Sequence, residues 1–382
     1  MFDPETARGS GQATGPDECG EMAKVVPLHI SDLFPSSVRR TGIFSILPLG
    51  QRSPQGELTM DIAVRLKRPG SPDELETVDW PAQTPGPSEL RIRHEAIGVN
   101  FIDIYHRTGL YPLAPPAIPG VEGVACIEAI GDGVQGLHVG QRIAYAGIAG
   151  SYATTRLLPA WRAVPLPDTV NPEVAAASLL RGLTIHMLMN RTLRVTSGTT
   201  LLIHSAAGGL GGFATIWAKR LGATVIGTVG SDEKAAIAIG HGVDHVIVGR
   251  DADFACEVGH FTEGRGVDFA IDGIGGSTLA KTLACVRRFG TIASVGEAGG
   301  PIPPIPVEAI GSLRSLVFTR PSVMAYAAEP DTYDAASRAV IEQLEAGVAA
   351  PIASRYLLKR ARQAHVDLEG GTLSGAAILL PR

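Results

Sequence analysis

Aromatic residues make up only 5% of the 382 positions, and there are just four cysteines. Cys19, Cys126, Cys256 and Cys285 are scattered, with no CxxC spacing among them. That excludes a zinc knot and a disulfide framework, and reads as buried or free thiols in a reducing cytoplasm. No apolar run approaches the ~20 residues a membrane-crossing helix needs. The start has no basic stretch followed by an apolar one, so no secretory signal is read there. Asp3, Glu5, Asp17, Glu18 and Glu21 argue against a transit peptide, which is poor in acids. A large excess of positive charge is also missing. There are 33 Lys and Arg against 38 Asp and Glu, a net charge of −5. Nucleic-acid or membrane-surface binding is therefore not expected as the main task.

What is present is apolar and rich in turns. Hydrophobic residues reach 45% and charged ones 19%, so the chain carries a core. The length suits two domains at roughly 100–200 residues each. Residues 1–59 stand apart: Gly, Pro and acids dominate and no period is visible. They read as a disordered extension, with Met60 as a possible true start. From Met60 to about Arg181 short strands alternate with turns. LRIRHEAIGVN (Leu90–Asn100) has the period of two of a half-buried strand. This part is expected to be mostly β, a curled or barrel-like sheet. From Thr184 strands and helices alternate, which predicts a doubly wound parallel sheet. Helices are expected over Gly209–Leu221, Ser231–Gly240 and Asp334–Ala346. The last segment, AAILLPR, is expected to be a strand that rejoins the first part. The fold class is α/β.

The strongest single signal is Ala206-Ala207-Gly208-Gly209-Leu210-Gly211, between a predicted strand and a predicted helix. Glycines there let a backbone approach a pyrophosphate, and the helix start offers N–H groups to it. The second strand ends Gly227-Thr228-Val229-Gly230-Ser231, without the acid that binds the 2′-hydroxyl of NAD. Ser231 and Lys234 can instead meet a 2′-phosphate, which favours NADPH. Asp232 and Glu233 beside them count against it.

These segments resemble a known family. EAIGVNFIDIYHRTGLYP (Glu95–Pro112) is similar to the signature of zinc-independent quinone oxidoreductases. These are the zeta-crystallin-like members of the medium-chain dehydrogenase/reductase superfamily. AASLLRGLT (Ala176–Thr184), HSAAGGLG (His204–Gly211) and FTRPS (Phe318–Ser322) match further family segments. The resemblance spans about Met60 to Pro381. It implies a GroES-like catalytic domain over 60–183 and 321–382, a Rossmann domain over 184–320, NADPH as cofactor and a homodimer.

By position, the resemblance places Asn100 and Thr184 at the nicotinamide and its ribose, and Ala207 to Gly211 at the pyrophosphate. Lys234 falls at the 2′-phosphate, Val295 and Gly296 border the nicotinamide, and Tyr105 and Tyr111 form the quinone pocket. Two family partners of the phosphate, a tyrosine and an arginine, are replaced by Gly249 and Gly371. Arg250 is a candidate substitute.

Zinc-dependent relatives use a Cys and a Gly-His-Glu segment. Here Gly120-Val121-Glu122 has Val in place of His, and Asn100 stands near the Cys position. No metal site is expected. Without a Lewis acid, reducing an electron-poor acceptor is easier than oxidising an alcohol. Asn100, Tyr105 and Tyr111 are the candidate catalytic residues, as donors to the acceptor's oxygen. His106 and Arg107 read as surface or structural, and His204 as structural. The expected function is NADPH-dependent reduction of a quinone. Reduction of an enal or enone C=C bond is the alternative within enzymes. An NADPH-binding structural or RNA-binding protein is the alternative outside them.

Overall fold

The computed structural model describes residues 60–382. The expectations for residues 1–59 lie outside the described residues. Two sheets organise the rest. The first has seven strands in mixed array. Its centre is Glu89–Val99, which pairs antiparallel with Glu122–Ile130, with Thr155–Pro159 and with the final strand Ala376–Leu380. Ala377 lies opposite Val99, so the end of the chain does rejoin this sheet. A separate hairpin, Ile62–Leu66 with Leu75–Asp79, packs beside it.

The second sheet has six parallel strands. From edge to edge they are His245–Val248, Thr224–Val229, Thr200–His204, Val267–Asp272, Val286–Ser294 and Val317–Thr319. The order reverses direction between Thr200–His204 and Val267–Asp272. Ligands of such sheets bind at that reversal, beyond the carboxyl ends of the strands. The helix Gly209–Arg220 follows the strand Thr200–His204. The helix Asp232–Gly240 follows Thr224–Val229, and the Ser231 hydroxyl caps it by accepting the Lys234 N–H at 3.4 Å.

One long helix departs from the sequence reading. Pro172–His186 lies in the stretch read as continuing strands and turns. The Asn171 side chain caps it, accepting the N–H groups of Glu173 and Val174. Ala175 through Leu183 are all buried. The helix sits between the two sheets, and the largest apolar cluster runs through it, from Val124 and Ala144 to Leu201 and Val225. An apolar residue on every side leaves no amphipathic period to read. Among the cysteines, Cys126 and Cys285 are thiols, as expected.

Candidate active site

A cavity of about 570 Å³ opens at the sheet reversal. Its walls come from both halves of the chain. The helix Phe101–Thr108 and the helix Pro172–His186 supply one side, and the glycine loop and the end of Val286–Ser294 supply the other. Of the expected residues, Asn100, Tyr105, Tyr111, Thr184, Gly208 to Gly211, Val295 and Gly296 all line it. Ala207 does not; it is buried behind the loop. Ser231, Lys234 and Arg250 lie outside the wall but close together. Lys234 Nζ donates to the Gly371 carbonyl at 2.8 Å. A Cβ built on Gly371 would stand 3.9 Å from Arg250 Nη2. Arg250 thus reaches the place to which a longer side chain at 371 would point.

The glycine loop fits a dinucleotide. Gly208 precedes the helix Gly209–Arg220 without any side-chain cap, which leaves the first N–H groups open to an anion. Gly211 admits no side chain. Its Cβ would lie 2.3 Å from the Ser205 carbonyl oxygen and 3.0 Å from that of His204. The helix can start this close to the strand only because Gly211 has no side chain.

The charged groups of the wall are tightly held. Glu122 is fully buried. Its Oε1 accepts from Asn100 Nδ2 at 2.7 Å and faces Arg181 Nη1 at 3.5 Å. Its Oε2 accepts the Leu180 N–H at 2.7 Å. Burial raises its pKa, while Arg181, the Asn100 side chain and the Leu180 N–H pull it back. Gly98 makes room for this carboxylate, since a Cβ there would be 2.2 Å from Oε1. A carboxylate only accepts, so the Asn100 amide nitrogen must face it. One N–H of the amide is thus spent on Glu122, and the second is left to donate to a ligand.

The two tyrosines are better placed to donate. The Tyr105 oxygen accepts the Glu297 N–H at 2.8 Å, so its own proton is unspent. Arg320 bonds to Tyr111 and pairs with Glu297 at 2.7 Å. The two rings meet edge to face at 5.2 Å. Burial raises the Tyr105 pKa and keeps the phenol protonated. Arg320 and Arg181 are wall residues that the sequence reading missed. Both stand in the quoted family segments, which was the available signal.

His106 and Arg107 are not surface residues: they are 8% and 1% exposed. His106 joins the cavity wall. Arg107 anchors a buried chain behind it. Its Nε donates to His365 Nδ1 at 3.3 Å, which leaves the proton on His365 Nε2, 3.0 Å from the Tyr152 oxygen. Tyr152 in turn donates to Asp103 Oδ2 at 3.0 Å. Asp103 also accepts the Asn100 N–H at 2.9 Å. His204 bonds to Thr228 and Thr282 at 2.9 and 2.8 Å, as a structural residue should.

These buried groups set a pH dependence. Desolvation lowers His94 and His365 from 6.5 to about 3, and raises Asp103 from 3.8 to about 7. Between about pH 4 and 6.5 the unfolded chain takes up a proton at each histidine that the folded chain refuses. The folded chain holds one on Asp103 that the unfolded chain releases. Glu122 is raised as well, but His106, His186 and His204 are also lowered; the histidines prevail, so stability should fall on acidification below pH 6.5. Asp103→Asn should steepen that fall, and His94→Asn should flatten it, in melting temperatures followed from pH 7 to 4.5.

Comparison with known proteins agrees with this geometry. Residues 86–168 match the alcohol dehydrogenase GroES-like domain, and residues 209–340 match the zinc-binding dehydrogenase family. A quinone oxidoreductase of Pseudomonas aeruginosa is 39% identical over 317 residues, 82% of this chain and 97% of that one. A 2-haloacrylate reductase of a Burkholderia species is 38% identical over 332 residues, 85% of this chain and 100% of that one. The structure of Escherichia coli quinone oxidoreductase complexed with NADPH superposes with a TM-score of 0.81 at 34% identity, covering 84% of this chain and 100% of that one. Both Glu122 oxygens are engaged, a guanidinium faces one of them, and among the described residues no three His, Cys, Asp or Glu side chains gather.

Proposed function

The chain belongs to the quinone oxidoreductase family of the medium-chain dehydrogenase/reductase superfamily, and from that premise we propose that it is an NADPH-dependent, zinc-independent reductase of quinones. The observation that carries this reading is one cavity with an open glycine loop on one wall and two proton-bearing phenols on another. NADPH, when bound, supplies a hydride to the acceptor. Gly208 to Gly211 and the helix start hold the pyrophosphate. Thr184, Val295, Gly296 and the Asn100 amide orient the nicotinamide ribosyl end. Lys234 and Arg250 hold the 2′-phosphate, with Ser231 beside them. Tyr105 and Tyr111 donate hydrogen bonds to the acceptor oxygen, where charge builds up as the hydride arrives.

The catalytic domain is assigned to 60–183 with 321–382, and the nucleotide domain to 184–320. A homodimer is supported by the outer strand Val317–Thr319, whose far edge is unpaired among the described residues. Phe289, Val307 and Leu313 stand exposed near this end of the sheet's sequence. Among the described residues no helix is long and apolar enough to cross a membrane, and a cytoplasmic location is part of the proposal.

The haloacrylate-reducing relative supports a second reading, reduction of a conjugated C=C bond in the same cavity. Tyr111→Phe separates any enzyme from a protein that only binds NADPH. The expected result is a fall in kcat on the order of 10²-fold with NADPH binding unchanged. Turnover of an acceptor panel unaffected by the substitution would remove Tyr111 from the chemistry.

A further inference from the structure

We infer that the cavity selects uncharged acceptors, and that Glu297 determines this specificity by neutralising Arg320. The inference rests on the reductase reading and concerns what the same site admits. The relatives named above include enzymes of neutral quinones and of an acid, 2-haloacrylate, so their names leave the question open.

Four basic residues line the cavity: His106, Arg181, His204 and Arg320. None offers a free positive charge. Arg181 faces Glu122 at 3.5 Å and donates to the Ala177 and Val99 carbonyls at 2.7 Å each. His204 is bonded at both nitrogens to threonine hydroxyls. Burial holds both histidines below their usual pKa and so uncharged.

Arg320 is the guanidinium beside the two phenols, where an acceptor's oxygen would lie. Its Nη1 meets Glu297 Oε1 at 2.7 Å, and the pair is partly shielded, with side-chain exposures of 35% and 15%. The same Glu297 fixes the Tyr105 oxygen through its backbone N–H at 2.8 Å. A carboxylate entering this end would be drawn to Arg320 and repelled by Glu297, whose Oε1 stands 2.7 Å from that guanidinium. The two effects largely cancel, while the cost of stripping water from the anion remains. A neutral carbonyl avoids that cost and still accepts from the phenols.

The test uses a matched pair, 2-chloroacrylate and its methyl ester, with 1,4-benzoquinone as reference. In each alkene the hydride pair forms one C–H bond, the C=C π bond breaks, and a solvent proton forms the second C–H bond. Glu297→Gln keeps the backbone N–H on Tyr105 and frees Arg320. Intrinsic reactivity cancels in the ratio of acid to ester kcat/KM, compared between variant and wild type. That ratio should rise at least about tenfold in Glu297→Gln. Arg320→Met leaves Glu297 unpaired and should lower the ratio instead, which decides the matter should the first variant fail to fold. An unchanged ratio in a variant that still reduces benzoquinone overturns this inference alone. Wild-type protein that binds NADPH but reduces none of the three overturns the reductase reading itself.

Discussion

Glu122→Ala should destabilise the fold by about 3–5 kcal/mol, the usual cost of removing one partner from a buried ion pair. The residue has no exposed surface, and its loss strands three groups at once. The Asn100 amide and the Leu180 N–H would lose their acceptor, and the Arg181 guanidinium its counter-charge. Glu122→Gln keeps the shape and one acceptor, but leaves Arg181 without a counter-charge. It should cost less than the alanine variant and more than an ordinary surface change. Urea unfolding measures both. A loss below about 1 kcal/mol for the alanine variant, within the range of surface pairs, would mean that the Glu122–Arg181 contact is not a buried pair.

Gly211→Ala should weaken NADPH binding by two orders of magnitude or more. The added methyl group would lie 2.3 Å from the Ser205 carbonyl oxygen, a distance no Cβ can hold. Ser205 already stands in the left-handed region at φ 55°, so the loop has little freedom to retreat without losing its path. The helix start must then move, taking with it the N–H groups that face the pyrophosphate. Gly240→Ala is the control: a Cβ there meets nothing within 4 Å, at the end of the helix Asp232–Gly240. That variant should bind NADPH as the wild type does. Titration by nicotinamide fluorescence compares the two. Equal affinities in both variants would show that the loop does not carry the cofactor.

The parallel sheet was legible, except for its outer strand Val317–Thr319, because its other strands have their own punctuation. Glycines, a Ser231 cap and a Gly240 stop mark the turns. The helix Pro172–His186 was not legible, because burial on all sides erases the period by which helices are read. The cavity's expected residues came from the glycine loop and from family segments, and the structure gathers most of them on one wall or another. What holds those residues in place was hidden. Arg107 and His365 bond across 258 positions of sequence, and Tyr105 meets Glu297 across 192. No local pattern encodes a contact of that span. Likewise no local pattern shows that one Asn100 N–H is spent on Glu122.

The most direct test of the account is NADPH oxidation, followed by nicotinamide absorbance, with 1,4-benzoquinone as acceptor, under chelator and with NADH in parallel. The account predicts turnover that survives chelation and prefers NADPH by about tenfold or more, the expected contribution of charge-assisted bonds from Lys234 and Arg250 to the 2′-phosphate. Tight NADPH binding without any turnover, or turnover that chelation abolishes, would contradict it.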